Sequence, residues 1–147
     1  MTPVKSKTVA TWLAVLGGTL GLHRFYLYGL RDGLGWLHPL PTFLGLLGVQ
    51  RVQDFGQDDR LSWLLLPLLG LMIAQAMLCA ILYGLTPDER WDTRHNPGAR
   101  VTPTRWGPVL GVILALLLGA SALMATIAFG GQRFFEWQIE EARKISQ

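Results

Sequence analysis

Residues 61–87 read LSWLLLPLLGLMIAQAMLCAILYGLTP, and residues 106–132 read WGPVLGVILALLLGASALMATIAFGGQ. Neither stretch contains Asp, Glu, Lys or Arg. About 20 apolar residues in a helix cross the roughly 30 Å hydrocarbon core of a bilayer, so each stretch is long enough to span it. Unbroken apolar runs exclude the alternating pattern of barrel strands, and unpaired backbone groups cannot face lipid. The sequence therefore predicts an all-α integral membrane protein.

The rest of the composition agrees with this class. Half of the 147 residues are apolar, and 13 Lys or Arg stand against 10 Asp or Glu, which gives a net charge of +3. The basic residues occur in ones and twos between apolar runs and do not cluster on one soluble face, so we expect lipid headgroups as their partners and no nucleic acid. Cys79 is the only cysteine, which excludes an internal disulfide.

Two more hydrophobic segments precede the long ones. The first runs from about residue 8 to 22, and continues towards residue 30 if the long side chain of Arg24 reaches back to water. The second covers residues 33–49, where Pro39 and Pro41 predict a kinked or broken helix. The sequence thus predicts a polytopic membrane protein, with a helical hairpin followed by two further transmembrane helices.

The polar segments complete the predicted organisation. Residues 1–60 form the hairpin domain, and residues 61–131 form two further spans joined by a polar loop at 86–105, in which Trp91 is expected at the headgroups. Residues 132–147 are predicted to form an amphipathic helix on the membrane surface. One broad face of this helix carries the apolar side chains Phe134, Phe135, Trp137, Ile139, Ala142 and Ile145.

Four spans would place both termini, and therefore Ser6 and Ser146, on the same face of the membrane. Seven Lys or Arg residues would then lie on the side of the termini and six on the other side, and this difference does not identify the cytoplasmic face. Lys5 and Lys7, next to the amino terminus, favour the cytoplasmic side.

Motifs for catalysis or metal binding are missing from the sequence. His23, His38 and His95 do not have the i, i+3 or i, i+4 spacing of helical metal ligands. Nucleophile, phosphate-binding and dinucleotide signatures are missing too, and the acidic residues of segment 86–105 are expected to be solvated. The sequence therefore predicts no enzyme, no cofactor and no metal site.

Small residues recur at the four-residue spacing that lets helices approach closely. They are Gly17 and Gly21 in the first segment, and Gly107, Gly111, Ala115 and Gly119 in the fourth. Such a stripe packs either within the chain or between copies, and the spacing does not choose between them. Gln75, in the middle of the third segment, is expected to bond to another helix.

The string GGTLGLHRFYLYG, residues 17–29, is followed by Gly33 and Asp54. It resembles the TM-two domain family, in which a Gly-rich first membrane helix ends in a His-Arg-Phe-Tyr or Asp-Arg-Phe string and a short turn leads to a second helix. The similarity covers about residues 5–55. Tyr28, the two prolines of the second helix, and Gln50 with Arg51 depart from the pattern. The resemblance implies residence in a bacterial cell membrane, a scaffolding or signalling role, and no catalytic residue.

Two interpretations of the HRFY string stay open. Anchoring of a helix end at the interface could by itself explain all four residues of the string, His23, Arg24, Phe25 and Tyr26. Alternatively, His23, Arg24, Phe25 and Tyr26 form a recognition site for a lipid phosphate or a partner's carboxylate. We expect a non-enzymatic scaffold or interaction module whose partners are lipids, itself or another membrane protein. The alternative function is a component of a small transporter or channel, suggested by the proline-broken segment and by His38 and Gln75 at membrane depth.

Overall fold

The computed structural model describes residues 4–99 and 103–146, and this part of the chain is helical without strands. The helices are α1 (Lys7–Gly17), α2 (Leu22–Tyr28), α3 (Gly33–Leu37), α4 (Pro39–Phe55), α5 (Arg60–Leu85), α6 (Asp88–His95) and α7 (Gly107–Ile145), with a 3₁₀ turn at Gly18–Leu20. The predicted all-α class is confirmed.

Helices α5 and α7 are long and apolar enough to cross a membrane. They contain 26 and 39 residues, or about 39 Å and 58 Å at 1.5 Å per residue. Only 22% of the most apolar stretch of α5 and 6% of that of α7 is buried within the chain. These are the two segments for which the sequence signal was strongest.

Helices α5 and α7 run antiparallel and form the central pair of the fold. The start of α7 packs on α1, where Gly111 lies against Thr11, and the middle of α7 packs on α5, where Gly119 lies against Met77. Ala115 is completely buried between these two points. The small-residue stripe of α7 therefore faces α1 and α5 of the same chain.

The first predicted segment is not a single helix. Helix α1 ends at Gly17, the chain turns through Gly18–Gly21, and α2 returns towards the start of α1, so that the Ser6 amide donates to the Tyr26 hydroxyl at 2.8 Å. The expectation of a straight helix with Gly17 and Gly21 on one face was wrong. Gly21 adopts a φ of +78°, a left-handed conformation that glycine tolerates and that ends the helical path.

This hairpin of α1 and α2 reaches only part of the way along the central pair. A Cβ on Gly18 would touch Ala76 of α5, whereas Thr11 lies near Gly84, close to the end of α5. We call the end of the bundle near Leu85 and the start of α7 the arm end, because the N-terminal arm, residues 4–6, lies there. The opposite end is called the far end.

Helices α3 and α4 run from the arm end to the far end, with a break at His38 and Pro39. Helix α4 packs closely on α5, where Gly45 lies against Leu69 and Gly48 against Leu65. The predicted break at the prolines is confirmed. Pro39 and Pro41 occupy the first turn of α4. The backbone N–H groups of a first turn have no acceptor within the helix, so a proline there costs no helical hydrogen bond.

Segment 86–105 was predicted to be irregular and exposed, and this was wrong for its first half. Residues 88–95 form α6, with Trp91 only 3% exposed beneath the N-terminal arm. Acidic residues in its first turn and basic residues in its last turn match the helix dipole, and the indole N–H of Trp91 donates to the Lys5 carbonyl at 2.8 Å. Residues 100–102 lie outside the described part of the chain.

The tail is helical, as expected, but it is not a separate helix. Helix α7 continues through Gly130 and Gly131 to Ile145 without a break, because neither glycine takes the left-handed conformation that ends a helix. Ser146 therefore lies at the far end and Ser6 at the arm end. The prediction that both lie at the same end was wrong, because the hairpin returns to its starting point.

We expect Gly111→Leu and Gly119→Leu to destabilise the protein strongly. A Cβ alone at these positions would stand 2.8 Å from Thr11 and 2.7 Å from Met77, so a leucine forces α7 away from its neighbours at a cost of about 1–3 kcal/mol or more. Leu116→Ile is the matched control, since Leu116 is 59% exposed. Thermal unfolding in mild detergent measures the difference, and equal melting of all three variants would contradict the packing described here.

Candidate functional site

Arg24 and Asp32 form a two-bond ion pair between α2 and the start of α3. Nε of Arg24 donates to one carboxylate oxygen of Asp32 at 2.6 Å, and Nη2 donates to the other at 3.1 Å. Asp32 also caps α3 by accepting from the Gly35 amide at 3.0 Å. The planar fork of Arg24 is thus engaged by a carboxylate of the same chain.

The neighbouring aromatic residues of the string also bind within the chain. Phe25 packs on Trp36 of α3, with ring centroids 5.1 Å apart. Tyr26 accepts from the N-terminal arm twice, at its hydroxyl from the Ser6 amide and at its carbonyl from Nζ of Lys5 at 2.7 Å. The string therefore ties α2 to two different elements and does not converge on a single external site.

His23 faces the interior, where it meets His38 and Tyr83. It is completely buried, with ring centroids 5.5 Å from His38 and 5.8 Å from Tyr83. Among the described residues, neither ring nitrogen of His23 nor Nε2 of His38 has a hydrogen-bond partner, whereas Nδ1 of His38 donates to the Leu34 carbonyl at 2.6 Å. We call His23, His38 and Tyr83 the histidine cluster.

Sequence reasoning missed this cluster. It tested the histidines for spacing along one helix, whereas the pair is formed by the chain reversal at Gly21 together with the break at His38. In the sequence, each histidine stands close to a residue that breaks helices, Gly21 shortly before His23 and Pro39 directly after His38. This pattern could have indicated that the two histidines lie at chain turns. His95 lies apart from them, stacked on Trp91.

Gln75 does not bond to another helix, contrary to expectation. Its amide Nε2 lies 3.3 Å from Sγ of Cys79, one turn along α5, and its Oε1 has no partner. The residues that the structure describes contain no group of three His, Cys, Asp or Glu side chains able to hold a metal ion.

A polar cluster holds the N-terminal arm at α6, next to a groove of about 340 Å³. Asp88 accepts from Nζ of Lys7 and from the Thr104 hydroxyl, and it also accepts from the Thr104 amide at 2.8 Å. These bonds, the one from Lys7 above all, lower the pKa of the Asp88 carboxyl to about 2. Asp88 was predicted to be a solvated loop residue, and it is instead the acceptor that joins three segments.

We expect Arg24→Lys to be nearly as destabilising as Arg24→Gln, because a lysine ammonium cannot form both bonds to Asp32. A double-mutant cycle with Asp32→Asn should show that the paired change costs less than the sum of the single changes. Thermal unfolding in detergent is the measurement. Additive effects would mean that the pair is not coupled. Wild-type stability of Arg24→Lys would mean that only the charge matters, as for an interfacial anchor.

We expect acid to break the bonds by which Asp88 joins Lys7 and Thr104 to α6. The folded-state pKa of Asp88 lies below its ordinary value of 3.8, so its contribution to stability is complete above about pH 4 and is lost as the pH falls towards 2. Hydrogen exchange at the Thr104 amide should therefore lose protection over this range. Asp88→Asn should lack protection at neutral pH as well, and the same pH dependence in this variant would exclude Asp88 as its cause.

Comparisons with protein-family models, with curated proteins and with solved structures give no match for this chain, so its function is argued from its own residues and geometry.

Proposed function

We propose that this chain is a non-enzymatic integral membrane protein that serves as a scaffold or interaction module, resident in a bacterial cell membrane as its resemblance to the TM-two domain family implies. The observation that carries the proposal is the apolar outer surface of α5 and α7, most of which the chain itself leaves uncovered. Exposed apolar side chains of α7, such as Leu110, Leu117 and Ile127, require lipid or another apolar partner.

In this arrangement α5, α7 and the broken α3–α4 pair each cross the membrane, and the hairpin of α1 and α2 enters it and returns. Irregular backbone at such depth is tolerated when it is buried in protein, as the Gly21 turn is. The proposed membrane protein thus has three crossings and one re-entrant hairpin, in place of the four spans expected from the sequence.

The charge distribution supports an orientation. Among the described residues, seven Lys or Arg lie at the arm end and five at the far end. The first group is Lys5, Lys7, Arg24, Arg31, Arg90, Arg94 and Arg105, and the second is Arg51, Arg60, Arg133, Arg143 and Lys144. The excess of basic residues favours a cytoplasmic arm end.

An apolar groove of about 490 Å³ between α5 and α7 offers a surface for a partner helix. Gln75 and Ala74 line it from α5, and Leu116, Ala120 and Leu123 line it from α7. Small and apolar side chains next to a single polar amide are typical of surfaces where membrane helices associate. The groove supports an interaction role for the chain.

The first experiment tests membrane residence and topology together. In a Cys79→Ala background, cysteines introduced at Ser6 and Ser146 should react with an impermeant thiol reagent from opposite faces of sealed vesicles. The protein should also resist alkaline extraction. Extraction into the aqueous phase would disprove membrane residence, and labelling of both positions from one face would disprove three crossings.

A second experiment tests association through the groove. Cysteines introduced at Leu116 or Leu123 should crosslink to a second copy or to a membrane partner, whereas one introduced at Leu110, outside the groove, should not. Crosslinking of all three positions to the same extent would indicate random collisions in the bilayer and contradict a defined interface.

The histidine cluster favours a second candidate function, a component of a small transporter or channel. Buried imidazole nitrogens without partners lie where α3 gives way to α4, and broken helices at membrane depth often form substrate sites in transporters. Ion or proton flux in proteoliposomes that is lost in His38→Ala would support this function. Flux equal to that of empty vesicles would contradict the transport function and keep the scaffold role as the proposed one.

A further inference from the structure

A groove of about 320 Å³ at the far end combines arginines with aromatic rings. It lies between the start of α5 and the continuation of α7, remote from both the HRFY string and the polar cluster of the arm. Its lining consists of Arg60, Trp63, Gly130, Arg133, Phe134 and Trp137. Tryptophan and arginine together are characteristic of headgroup depth, which is where α5 would enter the membrane.

Arg133 is held rigidly at the base of this groove. Its side chain is 7% exposed, with one nitrogen donating to Glu136 at 2.6 Å and another to Gln57 at 2.9 Å. The rings of Trp63 and Phe129 each lie 5.5 Å from the guanidinium carbon. Its Nε is buried and has no hydrogen-bond partner in the part of the chain that the structure describes. An unpaired buried donor of a charged group is costly, which points to an acceptor supplied from outside the chain.

Arg60 supplies a second guanidinium at the open side of the groove. Its side chain is 65% exposed, and its one ion pair within residues 4–99 and 103–146 is a 3.5 Å contact with Glu140. An exposed pair of this length contributes little and is easily exchanged for a stronger acceptor. Two arginines of one groove, one held by its bonds to Glu136 and Gln57 and one exposed at the open side, suit a phosphate group.

The basic groove continues inward as an apolar one between the same two helices. This inner groove, about 270 Å³ in volume, is lined by Leu66, Pro67 and Gly70 of α5 and by Ala122, Ala125 and Phe129 of α7. Phe129 belongs to the apolar lining and also lies against Arg133, so the two grooves adjoin. The combined site is charged at the headgroup level and apolar below it, which is the chemical pattern of a phospholipid.

We propose that this site binds one anionic phospholipid, with its phosphate between Arg60 and Arg133 and one acyl chain along the inner groove. The inference rests on the membrane residence proposed above. It moves the lipid site from Arg24, whose fork is occupied by Asp32, to an arginine that retains a free donor.

Native mass spectrometry of the full chain, stripped of lipid in mild detergent, tests the proposal. With phosphatidylglycerol and phosphatidylcholine added in equal amounts, one phosphatidylglycerol should be retained preferentially. Arg60→Gln should weaken its retention about fivefold, the effect of one basic side chain near an anionic headgroup. Arg143→Gln, an equal charge change on an exposed residue of α7 outside the groove, should leave retention unchanged.

A second variant tests the acyl-chain half of the site. Ala125→Leu fills the inner groove from an exposed position without touching either arginine, so it should lower retention of the lipid while the protein keeps its melting temperature. If Arg60→Gln weakens binding but Ala125→Leu does not, and inorganic phosphate displaces the lipid, the site binds free anions and the proposal is wrong.

Equal retention of the two lipids by the wild type, or wild-type retention by Arg60→Gln, would also overturn the proposal. Either result could be obtained with a protein that resists alkaline extraction. Failure of the lipid site is therefore distinguishable from failure of membrane residence.

Discussion

The close contact between Gly21 and Gly35 determines the course of the chain. Gly21 has a φ of +78°, and a Cβ at this position would stand 2.5 Å from the Gly35 carbonyl oxygen. Only glycine satisfies both the conformation and the space. Because the chain reverses here, Arg24 reaches Asp32 and Tyr26 reaches the N-terminal arm. Because of the reversal, α3 and α4 run from the arm end to the far end. The reversal therefore determines which basic residues lie at the same end of the bundle.

A reversal inside an apolar bundle leaves backbone groups that need partners, and the adjacent break in α3–α4 supplies one. The buried Thr42 hydroxyl lies 2.7 Å from the Thr19 carbonyl of the 3₁₀ turn and 3.0 Å from the His38 carbonyl at the break. Polar backbone is expensive to leave unpaired in an apolar setting. The two irregular segments therefore depend on one another.

The parts of this fold that follow from local sequence were predictable, and the parts that depend on distant contacts were not. The apolar spans within α5 and α7 and the break before Pro39 follow from hydropathy and proline geometry, whereas the continuation of α7 to Ile145 does not. The reversal at Gly21 could not be separated from a glycine packing stripe, because both use the same residues at the same spacing. Helix α6 was missed because Trp91 is buried by a segment far from it in sequence.

The same limit applied to the candidate sites. The HRFY string was recognisable as unusual, but its partners Asp32, Trp36 and Ser6 are visible only once the hairpin is known. Arg133 carried no local signal, since it stands in the polar tail as one more basic residue at a helix end. Its importance comes from Trp63 and Gln57, which lie about 70 residues earlier in the sequence, in α5 and in the segment just before it.

The HRFY string and the far-end groove differ in whether their arginine keeps an unpaired hydrogen-bond donor among the described residues. At the arm end, Lys7, Arg24, Asp32 and Asp88 pair with one another in bonds that also cap helices or fix segments. Such internal pairing favours a rigid structure and leaves little affinity for an outside ligand, since a ligand must first displace a well-placed partner. At the far end, a rigid guanidinium keeps an unpaired donor beside an apolar groove. Recognition is therefore expected where a buried donor lacks a partner, and the HRFY string is better understood as the element that holds the hairpin closed.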